Sequence, residues 1–207
     1  QPVEVHGSGR TDAGVHAWGQ TANFHLPSSC DEMSAEEIKA YMNRYLPDDI
    51  AVLSAQEAGT RFHSRLNAKE KTYLYRIAIP GVSNVFERKY LWYFPETLDI
   101  KKMEEAASLL IGTHDFKGFS SIKKTKKSTI RTIYNIEIKK TKKEIQITYT
   151  GNGFLHNMVR ILTGTLVEVG CGKIKPEDIT KALESTKRSD AGITAPPQGL
   201  FLVSVGY

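Results

Sequence analysis

The order of strands and helices after residue 68 is the feature that most restricts the fold of this chain. Alternating apolar residues predict a strand over Lys69–Ile79, and Asp99 is a typical N-cap for the helix that follows. The segments Ile130–Ile138 and Ile145–Tyr149 also alternate, and a short charged turn joins them, which predicts a hairpin. We therefore expect a largely antiparallel sheet with helices inserted between its strands.

Two further elements complete this part of the chain. A strongly apolar helix is predicted over Phe154–Val169, a shorter helix follows Pro176, and Gly199–Tyr207 is a closing strand. The order is β-α-β-β-α-(α)-β, which is the split βαβ order of ferredoxin-like domains. Residues 69–207 are thus predicted to form one complete α+β lobe.

The first 68 residues repeat part of the same order. A short strand near the start and a second over Thr21–Leu26 precede a capping box at Ser34 and Glu37, which predicts a helix, and Ile50–Glu57 is predicted to be a strand. The resulting β-β-α-β order is the lobe pattern without its first strand and helix. We expect residues 1–68 to form a related α/β lobe that is incomplete at its N-terminus.

Composition excludes a membrane-spanning protein and a small protein held together by disulfides. The chain is 40% hydrophobic with a mean hydropathy of −0.34, and no apolar run approaches the roughly 20 residues that span a bilayer, so no membrane association is expected. Its two cysteines, Cys30 and Cys171, cannot build a disulfide framework, which favours a reducing, cytoplasmic setting.

Positive charge is concentrated in one window. Residues 117–143 contain ten lysine and arginine residues against one acid, which favours a polyanionic partner. The identical runs Lys123–Lys127 and Lys139–Lys143 lie roughly 35 Å apart along one strand. The second run occupies the hairpin turn and is expected to be solvated. The first is the better candidate for a nucleic-acid contact: Lys123, Lys124, Thr125, Lys126 and Lys127.

The glycine-rich stretch Gly7–His16 is the candidate for chemistry. It has neither the third glycine of a dinucleotide loop nor the lysine of a Walker A loop. A single carboxylate remains, Asp12, with Arg10 two residues before it; it is either a nucleophile or base, or a turn-capping residue. The histidines lack metal-ligand spacing, so no metal is expected. His156 is predicted to lie on the apolar helix as a packed or hydrogen-bonding residue.

Two more segments suit an RNA site. Arg61–Arg65 combines arginine, an aromatic ring and histidine in a loop, a mixture that binds phosphates and stacks on bases. Tyr73 and Tyr75 could each offer a ring to a nucleobase, but at least one of them must belong to the core.

Five stretches in this order resemble the bacterial tRNA pseudouridine synthase A family. The most specific is Gly9–Ala17, which looks like the family signature around the catalytic aspartate, and the similarity extends through essentially the whole chain. The other four are Phe62–Arg65, Lys71–Tyr75, Phe154–Arg160 with Gly164, and Ala191–Leu200.

The resemblance implies isomerisation of uridine to pseudouridine at positions 38, 39 and 40 of the tRNA anticodon stem-loop. It implies the pseudouridine synthase fold, with two ferredoxin-like lobes around a central cleft, a homodimer, and no cofactor or metal. Family members carry a leading segment, so this chain is expected to be truncated, which bears on whether it is active.

The resemblance also assigns roles to residues. It implies that Asp12 is the nucleophile, Tyr73 the ring against the target base, Arg160 the basic partner of Asp12, and Arg10 the residue that displaces the base. Contacts with tRNA are implied for Lys123–Lys127 and for a second loop. That loop consists of Phe62, His63, Ser64, Arg65 and Leu66.

Two other functions stay open at this point. One is a non-catalytic RNA-binding module of the same fold. The other is a sugar-hydrolysing enzyme, which would need a second carboxylate opposite Asp12; Glu4 and Asp31 are the nearest in sequence and have no motif around them.

Overall fold

The computed structural model describes residues 2–27, 33–81, 85–122 and 127–207. The chain divides into two compact units. Unit 1 comprises Gln1–Ser8 and Thr21–Asn67, and unit 2 comprises Gly9–Gln20 and Ala68–Tyr207. One boundary between the units lies between Asn67 and Ala68. The loop that carries Asp12 differs from expectation, because it belongs to unit 2 rather than to the N-terminal segment around it.

Unit 2 has a mixed α+β structure. Its described strands are β2 (His16–Ala17), β4 (Glu70–Ala78), β5 (Trp92–Tyr93), β6 (Gly112–Asp115), β7 (Ile130–Lys140), β8 (Glu144–Gly151) and β9 (Leu200–Gly206). Its described α-helices are α2 (Ile100–Leu110), α3 (Met158–Gly170) and α4 (Asp178–Ser185). The predicted strands and the hairpin are confirmed, as is the helix after Asp99, whose side chain accepts from the amides of Lys101 and Lys102.

The strands of unit 2 form one sheet in the order β2-β9-β4-β8-β7-β6, with β5 beside β4. The long pairs are antiparallel, whereas β2 pairs with β9 and β5 with β4 in parallel. The sheet is therefore mainly antiparallel, as expected, but two short strands lie parallel to their neighbours.

The apolar core of unit 2 lies between this sheet and its helices. Tyr75 and Ile77 of β4 pair in register with Ile147 and Ile145 of β8, so these side chains share one face. Helix α3 is buried along almost its whole length, and α2 contributes its inner face. A helix this apolar can form only where other elements cover every side, so α3 is fixed at the centre of the unit.

The described residues of unit 1 contain little regular structure. Among its described residues are β1 (His6–Gly7), which pairs antiparallel with β3 (Ala22–Asn23), and helix α1 (Ala35–Tyr45). The predicted capping box is confirmed, since Ser34 Oγ accepts from the Glu37 amide while the Glu37 carboxylate accepts from the Ser34 amide.

The predicted strand Ile50–Glu57 is wrong. These residues are described and form no strand. The Asn43 side chain instead binds both backbone groups of Val52, donating to its carbonyl at 2.9 Å and accepting from its amide at 2.7 Å. A side chain therefore satisfies backbone groups that a neighbouring strand would otherwise pair with.

Candidate active site

Asp12 lies at the start of a tight turn in unit 2. The Val15 amide donates to the Asp12 carbonyl at 3.0 Å, and Gly14 within the turn has a φ of 82°, a conformation that favours glycine. The chain then enters β2, where His16 and Ala17 pair with Phe201 and Leu202 of β9. The turn is thus attached to the main sheet, which explains why this loop belongs to unit 2.

Arg160 of α3 holds the Asp12 carboxylate. Its Nη1 donates to Asp12 Oδ2 at 3.3 Å, and its Nε donates to the Ala195 carbonyl at 2.7 Å. The Arg160 side chain is 15% exposed and that of Asp12 is 32% exposed, so the pair is partly desolvated but open on the carboxylate side. This arrangement orients Asp12 and leaves it accessible to a substrate.

His156 is a neighbour of Asp12 that the sequence did not identify as part of the site. Its Nε2 lies 3.5 Å from Asp12 Oδ1. The predicted helical position of His156 is wrong, because α3 begins at Met158 and His156 is exposed before it; of its two predicted roles, packed or hydrogen-bonding, the structure shows a polar contact with Asp12 and not packing. Because His156 precedes the helix, its spacing from Arg160 along the chain does not reveal that both side chains reach Asp12.

Tyr73 and Tyr75 have different environments on β4. Tyr75 is fully buried and its hydroxyl donates to the Pro196 carbonyl, so it is the core residue of the two. Tyr73 is partly exposed, and its ring packs edge to face against that of Phe154 with 5.2 Å between the ring centroids. Burial, with the negative charge of Asp12 as a second cause, raises the pKa of Tyr73 to about 12. The Tyr73 phenol is therefore largely shielded from water and lies close enough to Asp12 for the two to interact electrostatically.

The remaining cations near the loop belong to the same unit. Arg10 is exposed two residues before Asp12. A Cβ added to Gly9 would lie 3.4 Å from Lys71 Nζ, so the Lys71 amine lies against the loop backbone. Together with Arg160, these groups give the surroundings of Asp12 a positive character suited to a polyanion.

The loop Phe62–Leu66 lies in unit 1 and is held at Ser64. Ser64 is fully buried; its hydroxyl donates to the His6 carbonyl and its amide to Asn23 Oδ1. His63 Nδ1 accepts from the amides of Arg65 and Leu66, and the side chains of both residues are exposed. The loop is a fixed turn that presents an arginine and a leucine to the surroundings of unit 1.

Comparison with known proteins identifies the family of this chain. The family model described as tRNA pseudouridine synthase matches residues 1–67 and 106–207, which include Asp12 and Arg160. The chain belongs to the tRNA pseudouridine synthase family. Tyr73 lies between the two matched segments.

Curated relatives support this membership over the whole chain. The tRNA pseudouridine synthase A 2 of Clostridium tetani is 45% identical over 207 residues, which is 100% of this chain and 82% of the relative. The tRNA pseudouridine synthase A of Bacillus sp. strain KSM-64 is 46% identical over 99% of this chain and 82% of its own length. That of Thermoanaerobacter sp. strain X514 is 45% identical over 100% and 84%.

The lysine runs of this family member are only partly described. Lys123, Lys124, Thr125 and Lys126 lie outside the described residues, and Lys127 is exposed. The predicted hairpin turn is confirmed but is shorter than Lys139–Lys143, because β7 extends through Lys140 and β8 begins at Glu144. Lys139 pairs with Glu137 of the same strand at 3.0 Å. The contact between the first run and RNA stays a prediction.

The described residues contain neither a metal-binding cluster nor a membrane-spanning helix. Across the described ranges, no cluster of three or more histidine, cysteine, aspartate or glutamate side chains is arranged to hold a metal ion. Within the same part of the chain, no helix is long and apolar enough to cross a membrane.

Proposed function

We propose that this chain isomerises uridine to pseudouridine at positions 38, 39 and 40 of the tRNA anticodon stem-loop. As a member of the tRNA pseudouridine synthase family, it is an isomerase that acts on uridine in tRNA. The observation that carries the catalytic assignment is the Asp12 carboxylate held by Arg160 at 3.3 Å with Tyr73 in electrostatic range. Restriction to the anticodon stem-loop follows from the sequence resemblance.

The reaction needs a carboxylate but no redox partner. The bond between C1′ and N1 breaks, the uracil turns, and a bond between C1′ and C5 forms, while C5 loses its proton and N1 gains one. Asp12 serves as the nucleophile of this sequence, and Arg160 keeps its carboxylate directed outward. No electrons enter or leave the substrate.

Tyr73 supports the substrate base. A uridine inside a stem must leave its stack before Asp12 can reach it, which costs a few kcal/mol. Stacking on the Tyr73 ring, worth about 1–3 kcal/mol, offsets much of this cost. The edge-to-face contact with Phe154 fixes the plane of the ring against which the base would stack.

The RNA contacts come from cationic and stacking residues. Arg10, beside Asp12 in sequence, takes the place of the displaced base in the stem, and Phe62–Leu66 and Lys123–Lys127 contact the tRNA backbone and bases. We further propose, on the resemblance, two lobes around a cleft, a homodimer that shares the tRNA, and a cytoplasmic location.

Substitution of Asp12 tests the proposal. Asp12→Asn should abolish tritium release from tRNA labelled at C5 of uridine, while the Kd for tRNA stays within about threefold because the fold and cationic residues are kept. Asp49→Asn, an exposed carboxylate in unit 1, is the matched control and should retain full activity. Tritium release by Asp12→Asn at the wild-type rate would refute the assignment.

The same assay separates the alternatives. A non-catalytic RNA-binding module would bind tRNA but release no tritium even as the wild-type chain. A tRNA with cytidine at positions 38, 39 and 40 should bind and yield no pseudouridine. Pseudouridine formed elsewhere in that tRNA would keep the enzyme class and overturn the site.

A further inference from the structure

Asn157 has an unusual backbone conformation at the start of α3. It lies in the left-handed region with a φ of 61°, one of two residues other than glycine that do so in the described ranges. Asparagine at a helix N-cap ordinarily adopts an extended conformation and accepts from a backbone amide of the first turn. Asn157 makes no such bond. Its side chain is therefore directed to something other than capping the helix.

The Asn157 carboxamide connects the Arg160 guanidinium to Ser121. Its Oδ1 accepts from Arg160 Nη1 at 2.8 Å, and its Nδ2 donates to Ser121 Oγ at 2.9 Å. The same Nη1 donates to Asp12 Oδ2 at 3.3 Å. The two hydrogens on one nitrogen are thus shared between Asn157 and the carboxylate.

Ser121 has a second connection to this region. Its amide donates to the carbonyl of His156, the residue before Asn157, at 3.1 Å. Ser121 follows the buried Ser120, whose hydroxyl donates to the Lys117 carbonyl. Ser121 is therefore a firm attachment point for the Asn157 amide rather than part of a loose surface loop.

We propose that Asn157 is a positioning residue that directs Nη1 of Arg160 toward Asp12, with Ser121 holding the Asn157 carboxamide in place. The proposal rests on the roles proposed above for Asp12 and Arg160. Arg160 Nε is fixed by the Ala195 carbonyl, but a single bond allows the guanidinium plane to tilt. The bond to Asn157 supplies a second fixed point and thereby sets where Nη1 meets the carboxylate. The left-handed backbone is what brings a residue at the helix start within reach of both partners.

Substitution of Asn157 by glycine and by alanine distinguishes the effect of losing the side chain from the effect of straining the backbone. Asn157→Gly removes the carboxamide and keeps the left-handed conformation without strain, whereas Asn157→Ala removes the same group and adds strain. Both should lower kcat about 10- to 100-fold, the range expected for a lost hydrogen bond to a charged group. KM and tRNA affinity should stay within about threefold, and Asn157→Ala should lower the melting temperature more than Asn157→Gly does, because only alanine is strained by the left-handed backbone.

Ser121→Ala tests the hydrogen bond from Asn157 Nδ2 to Ser121 Oγ. It should lower kcat less than Asn157→Gly does, and the double variant Asn157→Gly with Ser121→Ala should be no slower than Asn157→Gly alone, because both act through one carboxamide. Thr186→Gly is the matched control: Thr186 is the other residue with a left-handed backbone, at the end of α4, and its loss should leave kcat within twofold.

A second measurement does not depend on catalysis. The Nε–H resonance of Arg160 in a ¹H–¹⁵N spectrum of the full chain should be sharp in the wild type and in Asp12→Asn, and broadened in Asn157→Gly. An unchanged resonance in Asn157→Gly, or kcat within twofold of wild type, would overturn the positioning role. Loss of activity in Asp12→Asn is judged separately, so a failure of the proposed catalytic assignment is distinguishable from a failure of this inference.

Discussion

Gly164 of α3 is the position where one added methyl group should damage both stability and activity. The backbone of residues 192–195 crosses the helix there, and a Cβ on residue 164 would lie 1.9 Å from the Ile193 carbonyl oxygen and 2.7 Å from its carbon. Such contacts are not compressible, because the atom met is backbone. Gly164→Ala therefore requires the crossing segment and the helix to separate by about 1 Å.

The magnitude follows from two opposing effects. Overpacking of a buried site costs about 1–3 kcal/mol, and a backbone clash belongs at the upper end. Alanine is a better helix former than glycine by about 1 kcal/mol, which acts in the other direction. We expect Gly164→Ala to lower the free energy of unfolding by about 2 kcal/mol, measured by urea denaturation.

The effect on activity has a separate cause. The crossing segment carries Ala195, whose carbonyl accepts from Arg160 Nε at 2.7 Å and whose amide donates to the Arg160 carbonyl at 3.0 Å. A displacement of about 1 Å at Ile193 moves the group that fixes the guanidinium, and misplacement on this scale costs about 100-fold in rate. Tritium release from labelled tRNA measures this loss at a temperature where the variant is folded.

Gly59→Ala is the control, since a Cβ there meets nothing within 4 Å. It should change the free energy of unfolding by less than about 0.5 kcal/mol and leave the rate unchanged. If Gly164→Ala matched the wild type in both measurements, the close crossing at Ile193 would not hold Arg160, and this reasoning would be refuted.

Two other predictions concern titration and salt. Burial raises the pKa of Tyr73 to about 12 and also raises the pKa values of Tyr75 and Tyr149 above the ordinary value of about 10. The contribution of these neutral phenols to the free energy of unfolding is therefore fully present below about pH 10 and is lost as the pH rises through their folded-state pKa values. Absorbance at 295 nm should show these three of the nine tyrosines ionising only with unfolding, and their ionisation near pH 10 in the folded chain would contradict the burial. Neutralising Lys123–Lys127 should flatten the salt dependence of tRNA binding by roughly 0.7–0.9 per lost phosphate contact, whereas neutralising Lys139–Lys143 should matter less. Equal slopes for the two variants would overturn the different roles assigned to these runs.

Local chemistry explains which elements the sequence could predict. The capping box at Ser34 and the N-cap at Asp99 involve residues within four positions of one another, and both are confirmed. The strand predicted over Ile50–Glu57 is wrong because alternation alone does not supply a neighbouring strand. The start of α3 is displaced from Phe154 to Met158 because Asn157 adopts a left-handed conformation that no periodicity reveals.

The site shows the same limit. The glycine-rich turn made Asp12 a candidate from sequence alone, and the resemblance added Arg160, which the structure brings to 3.3 Å. His156 and Asn157 were not assigned to the site, because their contacts depend on where α3 begins and on a loop more than 30 residues earlier. Such contacts are set by tertiary packing, which spacing along the chain does not encode.

The pairing of β2 with β9 has a consequence for synthesis of the chain. His16 pairs with Phe201, so β2, the strand beside the Asp12 turn, is far from its partner strand along the sequence and cannot pair until β9 has been synthesised. During translation the N-terminal region emerges first, and contacts between distant segments form late. A chain still on the ribosome thus keeps the Asp12 loop without its strand partner until β9 has been synthesised.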